Sequence, residues 1–145
     1  MSASCTQTII SQMLAALTGA TDVGERVFDS RKTAIERDEL PCIAIESPDN
    51  EDSKKFSEWV DQNTVTITVE ILVRGDPWRT VSDPIAVQVH RILMADPVLL
   101  SLVTEIRKTG RKWDGKDADA TAGSDALQYS VTYLSSARDL GLNLT

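Results

Sequence analysis

Between Asn63 and Val73 the chain reads NTVTITVEILV, and no other stretch constrains the fold as strongly. Val65, Ile67, Val69, Ile71 and Val73 occupy every second place, with Thr64, Thr66, Thr68 and Glu70 between them. A period of two puts the aliphatic side chains on one face of a β-strand and the polar ones on the other. β-Branched residues suit such a pleated surface. At ~3.3 Å per residue the stretch spans ~36 Å, more than most strands. A strand that long can reach beyond the body that buries its apolar face.

What covers that face is legible nearby. Residues 6–17, TQTIISQMLAAL, place Ile10, Met13, Leu14 and Leu17 on one stripe of an amphipathic helix, and Gly19 is suited to end it. Gly24 marks a turn into a short strand at Val27 and Phe28. Pro41 opens a strand, Cys42 to Ile45, whose unbroken apolar run implies cover on both faces. Residues 48–58 form a charged loop or hairpin arm. After Gly75-Asp76-Pro77, the step Ser82-Asp83-Pro84 predicts a helix start, with Ile85, Val89, Ile92 and Leu93 facing inward. Asp96-Pro97 breaks that helix and starts a second, Val98 to Val103. Glu105 to Trp113 reads as a polar strand, residues 114–126 as a turn-rich loop, and Leu127, Tyr129, Val131 and Tyr133 as a last alternating strand. Strands cluster without βαβ alternation. The expectation is an α+β fold: a mixed, mostly antiparallel sheet with an N-terminal helix and a central helix pair packed on it. A single domain over residues 1–135 is expected, followed by a C-terminal extension, 136–145.

With 145 residues and 41% hydrophobic content, such a domain needs no metal or disulfide to fold. Cys5 and Cys42 lack the spacing of a metal knuckle or redox pair and read as reduced thiols of an intracellular protein. The start shows no signal peptide, and no run is long enough to span a bilayer. A net charge of −7 disfavours wrapping nucleic acid. It suits a subunit that stays apart from its copies until a partner presents the right surface.

Four places carry side chains that catalysis could use. The single histidine, His90, falls within the second helix with no GxSxG or phosphate-binding loop to recruit it. Asp117, Asp119 and Thr121 resemble the start of a calcium loop, but Ala122 and Gln128 stand where glycine and a bidentate glutamate are required. Arg107, Lys108, Arg111 and Lys112 form a basic run. Strand alternation would send Arg107 and Arg111 to one face and the lysines to the other, as solvated charges or as partners for a neighbouring subunit's acids. Asp29, Glu36, Asp38 and Glu39 alternate with Arg31, Lys32 and Arg37, which favours ordinary ionised states over a catalytic pair. No enzyme, cofactor or metal is expected. The alternatives left open are a small metal-dependent enzyme built on the Asp114–Asp125 cluster and a monomeric adaptor domain.

Several segments in fixed order carry a resemblance. Phe28, Asp29 and Arg31 after the first helix, then Asp38, Glu39, Leu40 and Pro41 leading into a strand, are similar to the tail-terminator proteins of long-tailed bacteriophages, the lambda-type minor tail protein U. TVTITVEILVR, the helix before Asp96-Pro97, DPVLLSLV, and WDGKDADA before LQYSVTY continue the match over roughly residues 6–135. The Lys54–Val60 region and the tail from Ser136 depart from it. The resemblance implies a structural virion assembly protein. It would form a hexameric homo-oligomeric ring that caps the tail tube, terminates its polymerisation and offers the head-docking surface. Its partners would be the tail tube protein and the head–tail connector, with no membrane and no sequence-specific nucleic acid, though DNA passes through the ring lumen. It would be assembled in the host cytoplasm and sit at the head-proximal end of the tail. Another neck or tail-completion ring protein is the nearest alternative. Under this reading Asp29, Arg31, Glu36, Arg37, Arg107 and Arg111 are candidate subunit contacts. Asp49, Glu51, Lys54, Lys55, Phe56, Trp59, Trp78, Asp117 and Asp119 are candidate tube or head contacts.

Overall fold

The alternating stretch becomes β4 (Val60–Arg74) of a computed structural model that describes residues 3–29, 40–115 and 121–145. Its antiparallel partner over the full length is β6 (Ala122–Ser136), in register from Val60 opposite Ser136 to Arg74 opposite Ala122. On the far edge of β4, β2 (Cys42–Ile45) pairs with its C-terminal part and β3 (Glu51–Ser57) with its N-terminal part. β1 (Val27–Asp29) lies parallel to β2. On the far edge of β6, β5 (Glu105–Gly115) runs antiparallel, and β7 (Asp139–Asn143) folds back onto Ser135 and Ser136. The sheet is therefore mixed and mostly antiparallel, and the fold is α+β. Residues past Ser136 join the same sheet.

Three helices cover the aliphatic face. α1 (Cys5–Leu17) buries Ile9, Ile10, Met13 and Leu17. It is capped by Ser4, whose hydroxyl accepts from the Gln7 N–H at 3.2 Å, and it ends at Gly19 with φ +74°, a left-handed position that costs glycine nothing. α2 (Trp78–Ala95) buries Ile85, Val89 and Leu93. α3 (Pro97–Leu102) starts at Asp96, which accepts from the Leu99 N–H at 2.8 Å, with Pro97 in its first turn. These side chains meet Val65, Ile67, Val69 and Ile71 of β4 and Leu127, Tyr129 and Val131 of β6 in one core. Burial of each large aliphatic is worth about 1.5–3 kcal/mol, so this face holds the body together. β2 is buried at all four positions. Its second face packs Cys42, Ala44 and Leu72 with Phe28 and Leu40 in a smaller cluster.

Three expectations are corrected. α2 begins at Trp78, not Ser82, and carries Pro84 inside. Its first turn is held by tertiary contact: the Trp78 ring lies where a Cβ on Gly123 would stand 2.3 Å away. β6 begins at Ala122, not Leu127, because Gly123, Ser124 and Asp125 are buried beneath that same turn. Last, β5 bulges between Lys108 and Gly110. A bulge resets the period of two, so Lys108 and Arg111 share the helix-covered side while Arg107 and Lys112 share the open side.

Candidate assembly interface

Asp125 is wholly buried, yet it carries a carboxylate. Arg111 answers it in fork fashion: Nε donates to Oδ1 at 2.8 Å and Nη2 to Oδ2 at 2.7 Å. The same Nη2 donates to Asp83 Oδ1 at 2.9 Å, and the Ser82 hydroxyl donates to Asp125 Oδ2 at 3.0 Å. Hydrogen bonding to Asp125, opposed by burial and helped by Asp83, holds the guanidinium well above the ordinary arginine range. Arg111 and Arg79 both stand over the Trp113 ring, at 4.8 and 4.9 Å from its centroid. The cluster ties β5, β6 and the start of α2 into one rigid edge. A bidentate pair with a third acceptor is a structural clamp, and it commits Asp125, a member of the suspected acidic metal cluster, to that structural role. Among the described residues no group of three histidines, cysteines or acids is placed to hold a metal ion.

Beyond the helices, β3, β4 and β6 continue as an arm. Past Val65, on the way to the tip, the buried positions of β4 and β6 turn polar and bond to one another. The Ser53 hydroxyl donates to Asn63 Oδ1 at 2.6 Å, and Asn63 Nδ2 donates to Ser135 Oγ at 2.7 Å. Closer to the body, the Tyr133 hydroxyl donates to Glu51 Oε1 at 2.6 Å, and Thr6 of α1 donates to the same oxygen. Burial first, and Glu51 second, push the Tyr133 hydroxyl well above its usual range. This network pins the base of the arm to α1.

At the arm's tip, Glu58 and Trp59 form the turn between β3 and β4. Trp59 has φ +68°, a region where a bulky side chain is a genuine outlier. Two contacts from the β6–β7 turn hold it there. Its carbonyl accepts from the Ala137 N–H at 2.8 Å, and the Arg138 guanidinium stacks 3.7 Å from its ring centroid. Phe56 and Trp59 nevertheless stand 59% and 55% exposed. Packing in the core does not account for a large aromatic held in a strained conformation and offered to solvent.

A second surface lies between α2 and β5. A groove of about 220 Å³ is lined by Val87 and Leu127 together with His90, Arg91, Lys108 and Arg111. His90 Nδ1 is 3.0 Å from the Tyr129 hydroxyl and the two rings stack, so the histidine seals a buried tyrosine from the helix face. Burial pushes that tyrosine's hydroxyl up as well. Among the described residues, Arg91 and Lys108 have no carboxylate partner.

The structure thus separates the residues singled out from sequence. Asp49, Glu51, Lys54, Lys55, Phe56 and Trp59 all lie on or beside the β3–β4 arm. Trp78 is half-buried over Gly123 and belongs to the body. Asp29 is exposed at the end of β1, Arg107 is exposed on the open side of the sheet, and Arg111 is committed to the clamp. Arg31, Glu36, Arg37, Asp117 and Asp119 lie outside the described residues. The groove cations Arg91 and Lys108, and the clamp's Asp125, were missed as a set. Alternation from the buried Ile106 already puts Lys108 on the side that Arg91 faces, and the bulge brings Arg111 round to join it. No helix among the described residues is long and apolar enough to cross a membrane.

Comparison with known proteins adds three findings. A family model described as phage minor tail protein U matches residues 5–133. The chain is 27% identical over 121 residues to a tail tube terminator protein of Escherichia phage N15, a match covering 81% of this chain and 89% of that protein. Its fold is similar to a chain from the virion of a native gene transfer agent particle, with a TM-score of 0.58 and 16% identity, covering 89% of this chain and 90% of that one.

Proposed function

The chain belongs to the phage minor tail protein U family, and from that premise we propose that it closes the growing tail as a hexameric ring on the tube's head-proximal end. The family makes it a structural component of a phage tail. The finer reading is that the ring blocks further addition of tube protein and then presents the surface to which the head–tail connector docks. Its work is binding, with no reaction catalysed. DNA passes through the lumen without sequence-specific contact, and assembly takes place in the host cytoplasm.

The observation that carries this reading is the match over residues 5–133 together with the terminator activity named for the N15 relative. The geometry supports it. Heterologous contacts that close by rotation need two dissimilar surfaces on each copy, and the arm and the α2–β5 groove are two such surfaces. The experiment is removal of the gene from a phage that carries it, followed by electron microscopy of the particles. Overlong tails beside unjoined full heads are expected. Tails of normal length that fail to join heads would overturn termination in favour of a neck protein. Sedimentation of the purified chain with tail tubes tests the ring itself.

A further inference from the structure

We propose that the seam between neighbouring copies is made by the β3–β4 tip of one chain seated in the α2–β5 groove of the next. In this seam Trp59 lies against Val87 at the mouth of the groove, and Glu58 and Asp61 face Arg91 and Lys108. The inference rests on the ring reading above and specifies which surfaces meet.

Three observations carry it. The first is chemical fit. The groove joins an exposed apolar residue, Val87 at 41%, over a floor of buried Ala86 and Leu127, to two cations that among the described residues have no carboxylate partner. The tip joins exposed aromatics to acids: residues 49–61 hold five carboxylates against two lysines, while β5 holds four basic residues against two acidic ones. Among the described residues, Glu58 and Asp61 have no cation partner. Patches of opposite sign set partner and register more than they add affinity, and an aromatic anchor in an apolar pocket supplies the affinity.

The second is reach. Lys108 sits opposite Tyr129 on β6, whereas the tip lies level with Ser136. From Tyr129 to Ser136 is ~23 Å at ~3.3 Å per residue, and three strand spacings across the sheet add ~14 Å sideways. The tip therefore cannot fill the groove of its own chain, and the two surfaces meet only between copies. The third is preorganisation. The Arg138 stack and the Ala137 hydrogen bond fix the Trp59 ring before contact, which lowers the ordering cost of docking it.

The test uses the full chain with Glu58→Cys and Lys108→Cys together, and each alone, under conditions in which the wild-type chain assembles, with tail tubes present. Cys5 and Cys42 are buried, so the introduced thiols are the accessible ones. After oxidation the double variant is expected to give a covalent ladder beyond the dimer, while each single variant stops at dimer. In a parallel arm, Lys108→Glu is expected to weaken assembly at least tenfold and Glu58→Lys in the same chain to restore it. Rings in sedimentation without a ladder, or without restoration, overturn this seam and leave the ring standing. Absence of any ring from the wild-type chain on tube ends overturns the ring reading and the seam with it.

Discussion

At the scale of single residues, the clearest signature is a conflict. Trp59 adopts a backbone conformation that suits glycine, at a cost of roughly 1–3 kcal/mol, and recovers part of it through the Arg138 stack, worth about 0.5–1 kcal/mol at an exposed site. Trp59→Gly removes strain and stack together, whereas Trp59→Ala loses the stack and keeps the strain. Urea unfolding should find the glycine variant more stable than the alanine variant by about 1 kcal/mol. Both should fail to assemble. No reading of EWVD in sequence reveals the strain, because φ is set by the two strands that the turn must join. Burial leaves a second mark on single residues. Tyr129 and Tyr133 hold their protons more tightly when folded than when unfolded, and so does Cys5. The native state then binds more protons than the unfolded one at alkaline pH. Stability is complete below the unfolded values, falling from about pH 9 for the thiol and about pH 10 for the phenols. Chemical denaturation across pH 8–11 should show that decline, and Tyr133→Phe should make it shallower.

At the scale of elements, the strands with a clean period of two were legible, and those bent by neighbours were not. β4 announces itself because its core side is aliphatic from Val65 to Val73 and its other side is mostly threonine. β6 hides its first five residues, since Gly123, Ser124 and Asp125 read as loop until Arg111 and Trp78 are seen to bury them. The start of α2 hides for the same reason: Pro84 looks like a first-turn proline, and the turn before it exists only by contact. The bulge in β5 cannot be read from KTGRK at all, yet it decides that Arg111, and not Lys112, joins Lys108 on the groove side. One clamp holds these three elements together, so it should govern their stability. Arg111→Met would leave the buried Asp125 carboxylate with only Ser82, a loss of about 3 kcal/mol. Arg111→Met combined with Asp125→Asn should recover a substantial part of it in the same denaturation assay.

At the scale of the molecule, the class of the fold and the family were both within reach of the sequence. Segment order along the chain survives where single residues do not, and order is what the resemblance rested on. The proposed contact surfaces are harder to read. The arm was visible as a charged segment with aromatics in it. Its counterpart was not, because the groove draws on α2 and β5 from positions 86–91, 108 and 111, which only the folded sheet brings together. The β4–β6 ribbon that links the two surfaces has a further consequence. Its fifteen rungs run in register from tip to body. A load along the strands bears on all of them at once, while a load that peels the tip sideways bears on them in turn. Such a ribbon is stiff against traction along the strand direction and compliant to prying at its tip, so its mechanical strength depends on which way the strain is applied.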